Sequence, residues 1–367
     1  MLSFLFVDSE RVWRGGQAQL LTLLQGLHQR GHKVHLVCFP RTSMEARARD
    51  IGIFVHPVAI RSEIGLISLL HLIGLFRRVR PDILAFNTPK PIFIGTVASR
   101  FARVGARIIF RRVDFPLRNR FISRMKYTWG IDCIIAISHS IRARLLNCGI
   151  PGSLVKVVHE GIDPSLYPEK SESDGDLASD FVAVGTVCSL SHEKGLSYLI
   201  EAASLIPDVK GRLRFVIVGE GNCRLKLEKL VREKGLEDCI RFLGFRTDIQ
   251  ALLENFDLFV LPSLSEGLSS AIMEAMAVSL PVIGSDVGGI PELVQNGMNG
   301  LLVPPANPEK LARAIEELAE NPTARRQMGL RGRKSVEENY TLARKIVDTE
   351  LICRTLVEKK KSGRTNA

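Results

Sequence analysis

The stretch DLFVLPSLSEGLSSAIMEAMAVSLPVIGS, residues 257–285, contains the pattern that decides the fold. The apolar run DLFVLPS predicts a buried strand, SSAIMEAMAV predicts a helix, and PVIGS predicts a second strand. Ser269 or Ser270 suits the N-cap of that helix. This order places Glu266 in the loop between strand and helix, and Glu274 near the second turn of the helix.

The same alternation of strands and helices extends through both halves of the chain. In the first half we predict strands at residues 2–7, 33–39, 82–86, 107–111, 133–138 and 155–161. In the second half we predict strands at residues 181–187, 213–221, 239–245, 257–263, 281–285 and 300–304. This alternation is typical of a doubly wound parallel sheet, so the predicted fold class is α/β with two Rossmann-like domains.

The segment DPSLYPEKSESDGDLASD (163–180) separates the two halves. It is rich in Pro, Ser and acidic residues and has no apolar period, which is typical of an interdomain linker. The predicted domains are an N-terminal domain at 1–165, a linker at 166–180, a C-terminal domain at 181–340, and at 341–367 a helix that can pack back on the first domain, followed by a basic tail. The Asp-Gly-Asp of the linker resembles a D-x-D metal motif, but its acidic surroundings favour a solvated segment.

The positions of the two glutamates indicate a ligand site. In open parallel sheets ligands bind at the carboxyl ends of the strands. The backbone amides of Leu268, Ser269 and Ser270 would point out of the helix start and form a site for an anion, with Gly267 directly before them as a further donor-binding residue. Glu266 and Glu274 beside that site could accept hydrogen bonds from sugar or ribose hydroxyls, or could be one capping and one solvated carboxylate.

Three further loops are predicted at the same sheet edge. SHEKG carries Lys194, VGEGNCR places Arg224 at the start of the next helix, and SDVGGIPE contains Gly288 and Gly289. Each loop alone is a weak signal, because a glycine-rich turn is most often only a turn. Four loops that share one sheet edge together favour a ligand site.

Composition narrows the class of protein. The chain of 367 residues is 46% hydrophobic and 24% charged, which is ordinary for a globular protein. Its seven cysteines form no C-x-x-C pair, so they suit a reducing compartment. The first residues lack the basic start of a secretory leader. The longest apolar run, 64–76, is shorter than the roughly 20 residues of a membrane-spanning helix. We therefore expect a cytoplasmic protein, soluble or peripheral to a membrane.

The positive charge is concentrated in the first half. Residues 1–165 contain 24 basic and 10 acidic residues, whereas the remainder contains 26 basic and 29 acidic residues. The apolar run 64–76 is followed by Arg77, Arg78 and Arg80, so it is either a membrane-interface helix or a buried helix with solvated arginines. A second basic set surrounds the expected acceptor loop and could bind acceptor phosphates: Arg111, Arg112, Arg118, Arg120, Arg124 and Lys126. A nucleic-acid partner is disfavoured, because this half lacks aromatic residues placed for base stacking.

The order of these motifs resembles the retaining glycosyltransferases of family 4. The resemblance is carried by GTVCSLSHEKGLSYLIEA, VIVGEGNCR, RFLGF and the opening stretch with its two glutamates, and in the first half by RGGQAQLL and IAISHSIRARLLNCGIPGSLVKVVHEGIDPSLY. It implies the GT-B fold, in which two Rossmann-like domains face each other across a cleft. It also implies transfer of a sugar from a nucleotide diphosphate sugar with retention of the anomeric configuration.

The resemblance also implies roles for single residues. Glu266 and Glu274 correspond to the first and second glutamate of the family's E-x7-E motif, which hold donor-sugar hydroxyls and the ribose. Lys194 is implied to neutralise the diphosphate, which gains charge as the bond breaks, so that no metal and no cofactor is needed. Gly16, in the loop with the two adjacent glycines, is implied to approach the diphosphate from the first domain. The base is implied to lie against Leu243, Gly244 and Phe245.

The chain departs from the family pattern at two positions. Cys188-Ser189 stands where the family has Gly-Arg, so Arg224 or an arginine of the first domain is expected to replace the missing cation. In the loop FRRVDFPLRN, Val113 stands where the family often has a histidine. Asp114, the next residue, could act as a base toward the acceptor or merely cap a turn.

The expected function is therefore a metal-independent, retaining sugar transfer to a glycan or lipid-linked acceptor, as in the synthesis of lipopolysaccharide or another surface polysaccharide. An anionic membrane surface is a further expected partner. Two alternatives stay open: a soluble sucrose- or trehalose-type synthase, and a non-catalytic protein that binds nucleotide sugars. The departures at Ser189 and Val113 favour the second alternative.

Overall fold

The computed structural model describes residues 1–114, 120–169 and 181–365. By internal contacts the chain divides into two compact units. Unit 1 is formed by Met1–Glu160 together with Leu342–Ala367, and unit 2 by Gly161–Thr341. Residues 170–180 of the predicted linker, its Asp-Gly-Asp sequence and Arg118 lie outside the described residues.

Unit 1 contains a seven-stranded parallel sheet in the order β3-β2-β1-β4-β5-β6-β7. Its strands are β1 (Ser3–Val7), β2 (Lys33–Cys38), β3 (Phe54–Pro57), β4 (Ile83–Phe86), β5 (Ala106–Arg111), β6 (Cys133–Ala136) and β7 (Val155–Val157). Its helices are α1 (Gly15–Gln29), α2 (Ser43–Asp50), α3 (Leu66–Val79), α4 (Pro91–Arg100), α5 (Arg120–Thr128), α6 (His139–Asn147) and α15 (Leu342–Thr365).

The core of unit 1 follows from the central strands, such as β1 and β4, being apolar along nearly their whole length. Phe4, Leu5 and Phe6 of β1 are all buried, as expected for a strand in the centre of a parallel sheet covered on both faces. Leu20, Leu24 and the other apolar residues of α1 recur at helical spacing and pack on one face of the sheet.

The last helix, α15, closes the core of unit 1. Its residues Ile346, Cys353 and Val357 are buried in the same cluster as β1 and α1. Helix α1 makes room for it at Gly26, where an added Cβ would lie only 2.0 Å from Ile346 Cδ1. The C-terminal residues are therefore part of the fold of unit 1.

Truncation of Ile346 tests this role of α15. We expect Ile346→Ala to lower the free energy of unfolding of unit 1 by about 2–4 kcal/mol, because it removes buried methyl groups and leaves a cavity against α1. Val347→Ala is the matched control, since Val347 follows on the same helix and is 45% exposed. Equal unfolding midpoints in denaturant for both variants would contradict the packing.

Unit 2 contains a six-stranded parallel sheet in the order β10-β9-β8-β11-β12-β13. Its strands are β8 (Val182–Val187), β9 (Leu213–Val218), β10 (Ile240–Gly244), β11 (Leu258–Leu261), β12 (Val282–Ser285) and β13 (Gly300–Val303). Its helices are α7 (Leu196–Leu205), α8 (Val209–Arg212), α9 (Arg224–Glu233), α10 (Ile249–Glu254), α11 (Ser270–Ala277), α12 (Ile290–Leu293), α13 (Pro308–Glu320) and α14 (Pro322–Asn339).

Both sheets have Rossmann-like topology, so the predicted fold class is confirmed. In each sheet the second and third strands are added in one direction from the first strand, and the later strands are added in the opposite direction. The direction reverses between β1 and β4 in unit 1 and between β8 and β11 in unit 2. Ligands of open α/β sheets bind outside the carboxyl ends of the strands at such a switch point.

Candidate active site

The switch point of unit 2 carries an ion pair. Lys194 follows β8, Glu266 follows β11, and the Lys194 Nζ and Glu266 Oε2 atoms are 2.5 Å apart. Ser263 Oγ lies 3.3 Å from the same carboxylate oxygen. Burial alone would lower the pKa of Lys194, but the Glu266 carboxylate outweighs it, and the pKa is raised. The structure thus brings together two of the residues that the sequence singled out.

Backbone contacts between neighbouring loops hold this pair in place. The Leu264 amide donates a hydrogen bond of 2.8 Å to the Glu193 carbonyl, which joins the loop after β11 to the loop after β8. Gly195 has a φ of +65°, and an added Cβ there would lie 2.0 Å from the Pro262 carbonyl oxygen. Only glycine permits this approach, so the loop that carries Lys194 packs directly against the loop that carries Glu266.

Helix α11 begins as the sequence predicts. The Ser269 side chain is its N-cap and accepts a hydrogen bond of 3.3 Å from the Ile272 amide. The loop after β12 supports this start, since the Gly289 amide donates to the Glu266 carbonyl at 3.2 Å. An added Cβ on Gly289 would lie 2.1 Å from the Gly267 carbonyl oxygen. Gly289 therefore serves the contact between two loops, whereas the sequence suggested an approach to a ligand.

Glu274 lies in the second turn of α11, and its partner is Tyr167. Burial raises the pKa of the Glu274 carboxyl to about 7, although the hydrogen bond from the Tyr167 hydroxyl acts in the opposite direction. The backbone carbonyl of Tyr167 accepts a hydrogen bond of 2.8 Å from Arg333 Nη1 of α14. Glu274 is thus a carboxylate that changes its charge near neutral pH.

Sequence reasoning missed Tyr167, because it lies within the predicted linker at 166–180. The available signal was local: Leu166 and Tyr167 are large apolar or aromatic residues at the start of a segment that otherwise lacks them. The Tyr167 hydroxyl cannot be inferred to reach Glu274 from sequence, since 107 positions separate the two residues.

The remaining predicted donor-side residues lie at the β9–β10 end of the sheet. Arg224 opens α9 and forms ion pairs with Glu220 and with Glu228, the latter at 2.8 Å. Leu243 and Phe245 are exposed at the end of the edge strand β10, on either side of Gly244, whose φ is +71°. Three interstrand steps separate β10 from β11, roughly 14 Å at the usual spacing.

In unit 1, Gly16 lies in the first turn of α1 and is not part of a loop. Among the described residues, the nearest neighbour of an added Cβ at Gly16 is Arg112 Cδ at 3.8 Å. A buried carboxylate, Asp8, supports the start of α1 through hydrogen bonds from Gln17 Nε2 at 3.1 Å and Asn87 Nδ2 at 2.8 Å. Burial raises the pKa of Asp8. Asp8 was not among the residues predicted from the sequence.

Two arginines at the end of β5 have partners within unit 1. Arg111 donates to the Tyr127 hydroxyl at 3.0 Å, and Arg112 forms a buried ion pair with Glu160. Both guanidinium groups thus have partners inside unit 1, and the binding of acceptor phosphates by this basic set stays a prediction.

Asp114 is buried and binds the guanidinium of Arg144 through both oxygens, at 2.7 and 3.0 Å. This two-point contact between the segment after β5 and α6 supports the structural alternative for Asp114. Its role as a base stays a prediction.

Family models match nearly the whole chain. One, described as Glycosyltransferase Family 4, matches residues 13–166, and another, described as Glycosyl transferases group 1, matches residues 169–335. The chain belongs to the family-4 type of glycosyltransferases.

Similar proteins agree with this assignment. The amylovoran biosynthesis glycosyltransferase AmsK of Erwinia amylovora is 30% identical over 217 residues, which are 57% of this chain and 53% of that protein. The match thus spans about half of that relative. The lipopolysaccharide core biosynthesis glycosyltransferase LpsE of Rhizobium meliloti is 27% identical over 270 residues, 72% of this chain and 73% of that protein.

A solved structure confirms the fold. The crystal structure of Anabaena HepE in complex with UDP and glucose has a TM-score of 0.85 and 23% sequence identity, and it covers 97% of this chain and 99% of that chain. The fold is thus GT-B, as the resemblance implied.

Proposed function

We propose that this glycosyltransferase transfers a sugar from a nucleotide diphosphate sugar with retention of configuration and without a metal ion. The observation that carries the proposal is the Lys194–Glu266 ion pair at the switch point of unit 2, directly before the start of α11. It combines a cation, helix amides and carboxylates at the place where Rossmann-like sheets bind ligands.

Each part of a nucleotide diphosphate sugar has a partner in unit 2. The diphosphate suits the Lys194 ammonium group and the amides at the start of α11. The sugar hydroxyls suit Glu266, and the ribose hydroxyls suit Glu274, since carboxylates accept hydrogen bonds from neutral hydroxyls. The exposed side chains of Leu243 and Phe245 offer apolar surface for a base. The UDP and glucose bound by Anabaena HepE support this class of donor.

The proposed reaction breaks the bond between the anomeric carbon and the diphosphate oxygen, which keeps the electron pair. An acceptor hydroxyl oxygen forms the new bond to the anomeric carbon on the same face, and its proton leaves to a base. Negative charge grows on the diphosphate as the bond breaks, so a fixed cation at Lys194 stabilises the transition state more than the ground state. This is the task that a metal ion would otherwise perform.

We propose that the acceptor is a glycan or a lipid-linked saccharide, bound at the cytoplasmic face of a membrane with which the protein associates peripherally. The name of the Rhizobium relative, a lipopolysaccharide core enzyme, supports such an acceptor. Among the described residues, every helix is too short or too polar to cross a membrane. A soluble sucrose- or trehalose-type synthase is the alternative with a free sugar as acceptor.

A non-catalytic nucleotide-sugar-binding protein is the second candidate. It is favoured by the missing arginine at Ser189, since Arg224, the proposed replacement, lies between Glu220 and Glu228. Two neighbouring carboxylates offset the charge that Arg224 could offer to a diphosphate.

A panel of nucleotide diphosphate sugars, assayed for release of the nucleoside diphosphate with and without EDTA, tests the proposal. We expect one donor to be cleaved at the same rate in both conditions. Binding without release would favour the non-catalytic candidate. Loss of release in EDTA that Mg²⁺ or Mn²⁺ restores would contradict metal independence. NMR of the glycoside formed on an accepted sugar would show whether the anomeric configuration is retained.

Gly16 provides a separate prediction for unit 1. We expect Gly16→Ala to lower donor turnover by about tenfold, because the family resemblance places the diphosphate near Gly16 and a methyl group would hold it away. The unfolding midpoint should stay unchanged, since a Cβ at Gly16 would contact only Arg112 Cδ among the described residues.

Gly74→Ala is the matched control for Gly16→Ala. Gly74 lies in α3, and an added Cβ there would have no heavy atom of the described residues within 4 Å. Unchanged steady-state turnover in Gly16→Ala would contradict the proposed approach of the diphosphate.

A further inference from the structure

Unit 1 exposes a group of large apolar side chains on two helices. We call this group the α3–α5 patch; it consists of Ile64, Leu66, Ile67, Leu70, Phe121, Ile122 and Met125. Ile64, Ile67 and Phe121 are 81%, 75% and 78% exposed. Single exposed apolar residues are ordinary, but a cluster of this size marks an interaction surface.

Helix α3 divides into a buried half and an exposed half. Leu72, Leu75 and Phe76 in its C-terminal half are buried, whereas its N-terminal half contributes to the α3–α5 patch. The run 64–76 is therefore neither a helix exposed along its whole length nor a helix buried along its whole length. Arg77 is ten residues beyond Ile67, about 15 Å along the helix. The arginines at 77, 78 and 80 are thus at the far end from the exposed apolar residues.

An ion pair joins the two helices of the patch. Lys126 of α5 binds the Glu63 carboxylate, which lies just before α3. Both helices begin after a strand of the same parallel sheet, so their first turns share its carboxyl edge. The apolar residues of α3 and α5 therefore form one surface around the Glu63–Lys126 pair.

The charge around the patch is positive. Its immediate sequence neighbours, 61–70 and 120–129, include four basic residues, Arg61, Arg120, Arg124 and Lys126, and one acidic residue, Glu63. Arg61 and Arg124 are exposed. Apolar side chains with basic residues beside them are the combination that binds the interface of an anionic membrane.

A second copy of the chain fits this surface less well. In a two-fold symmetric dimer the same patch occupies both sides of the interface. The basic residues of one copy would then lie close to those of the other, which is unfavourable. Anionic lipid headgroups have the charge that complements the patch.

We propose that the α3–α5 patch inserts into the headgroup region of an anionic bilayer and holds unit 1 on the membrane. This proposal rests on the peripheral membrane association proposed above and assigns the surface that contacts the membrane. Vesicle binding is measured without donor and without sugar transfer. A protein that does not bind vesicles can therefore be distinguished from one that does not transfer sugar.

The test is cosedimentation of the full chain with vesicles at low salt. We expect binding to vesicles with roughly one-third phosphatidylglycerol, much weaker binding to pure phosphatidylcholine, and release as salt screens the contact. Ile67→Asp with Phe121→Asp should lower binding to the anionic vesicles by about tenfold or more. Arg61→Gln with Arg124→Gln should lower it by about 30-fold, since each basic residue near the surface contributes on the order of 1 kcal/mol.

Two controls match these variants. Leu225→Asp changes a leucine of α9 that is 81% exposed and outside the patch, and Arg78→Gln changes an exposed arginine at the far end of α3. Both should bind as the unchanged protein does, and all variants should unfold at the same temperature.

Three results would overturn the proposal. They are no binding to anionic vesicles, equal binding by Ile67→Asp/Phe121→Asp and the unchanged protein, or a dimer in sedimentation that this double variant dissociates.

Discussion

Replacing Glu266 by glutamine is expected to lower the turnover number for sugar transfer by about 10²–10³-fold, the effect of removing one group that stabilises a transition state. Glu266 is largely buried and 2.5 Å from Lys194, so its charge both orients the ammonium group and accepts sugar hydroxyls. Glutamine keeps the size and one acceptor oxygen but loses the charge. The affinity for the nucleoside diphosphate should change less than the turnover number, because Lys194 keeps its charge in this variant.

The control for Glu266→Gln is Glu320→Gln. Glu320 forms an ion pair of 2.8 Å with Arg212, but its side chain is 62% exposed and that of Arg212 is 40% exposed, so its loss should affect neither turnover nor folding. Steady-state kinetics measures the turnover of both variants, and circular dichroism shows whether both are folded. A folded Glu266→Gln protein with full turnover would remove Glu266 from the site.

The second large effect concerns Glu274 and pH. We expect the affinity of the unchanged protein for a nucleoside diphosphate to rise between pH 6 and pH 8, because the carboxyl has a pKa of about 7 and accepts ribose hydroxyls best when ionised. Glu274→Gln should bind more weakly by about 1–3 kcal/mol at pH 8 and should lose most of this pH dependence. Titration calorimetry at several pH values measures both.

The same pKa predicts the opposite effect on stability. The pKa of Glu274 is raised above its unfolded value, so its contribution to stability is present below about pH 4.5 and is lost as the pH rises through about 7. Unliganded Glu274→Gln should therefore unfold at a higher temperature than the unchanged protein at pH 8, although it binds nucleotide less well.

Tyr167→Phe checks the partner of Glu274. The Tyr167 hydroxyl stabilises the ionised carboxyl, so its removal should shift the rise in affinity to higher pH. A pH profile identical to that of the unchanged protein, or a Glu274→Gln protein with unaltered affinity, would contradict the assignment of Glu274.

The sequence predicted those parts of the fold that depend on local pattern. Strands such as β1 and β11 are buried on both faces and read as continuous apolar runs. Strand β3, with the sequence FVHP, was missed, because it lies at the sheet edge, is half exposed and lacks such a run. Strand β7 ends at Val157, short of the predicted 161, because the apolar pattern continues beyond the paired residues.

The candidate site was predictable to the same extent. The N-cap at Ser269, the loop position of Glu266 and the helix position of Glu274 follow from short-range pattern and are confirmed. The partners are distant in sequence: Lys194 is 72 residues from Glu266, and Arg144 is 30 residues from Asp114. Such pairs arise from the order of strands in the sheet, which local pattern does not encode.

Amide hydrogen exchange with and without UDP, in the presence of EDTA, tests the central claim that unit 2 binds the donor at its switch point. GDP, ADP and dTDP serve as further probes, since the base is not fixed by the site. We predict that exchange slows by about tenfold or more at the start of α11 and in the loop of Lys194, because the ligand binds only the folded state of these loops. Protection confined to other parts of the chain, or none with any of the four nucleotides, would contradict the claim.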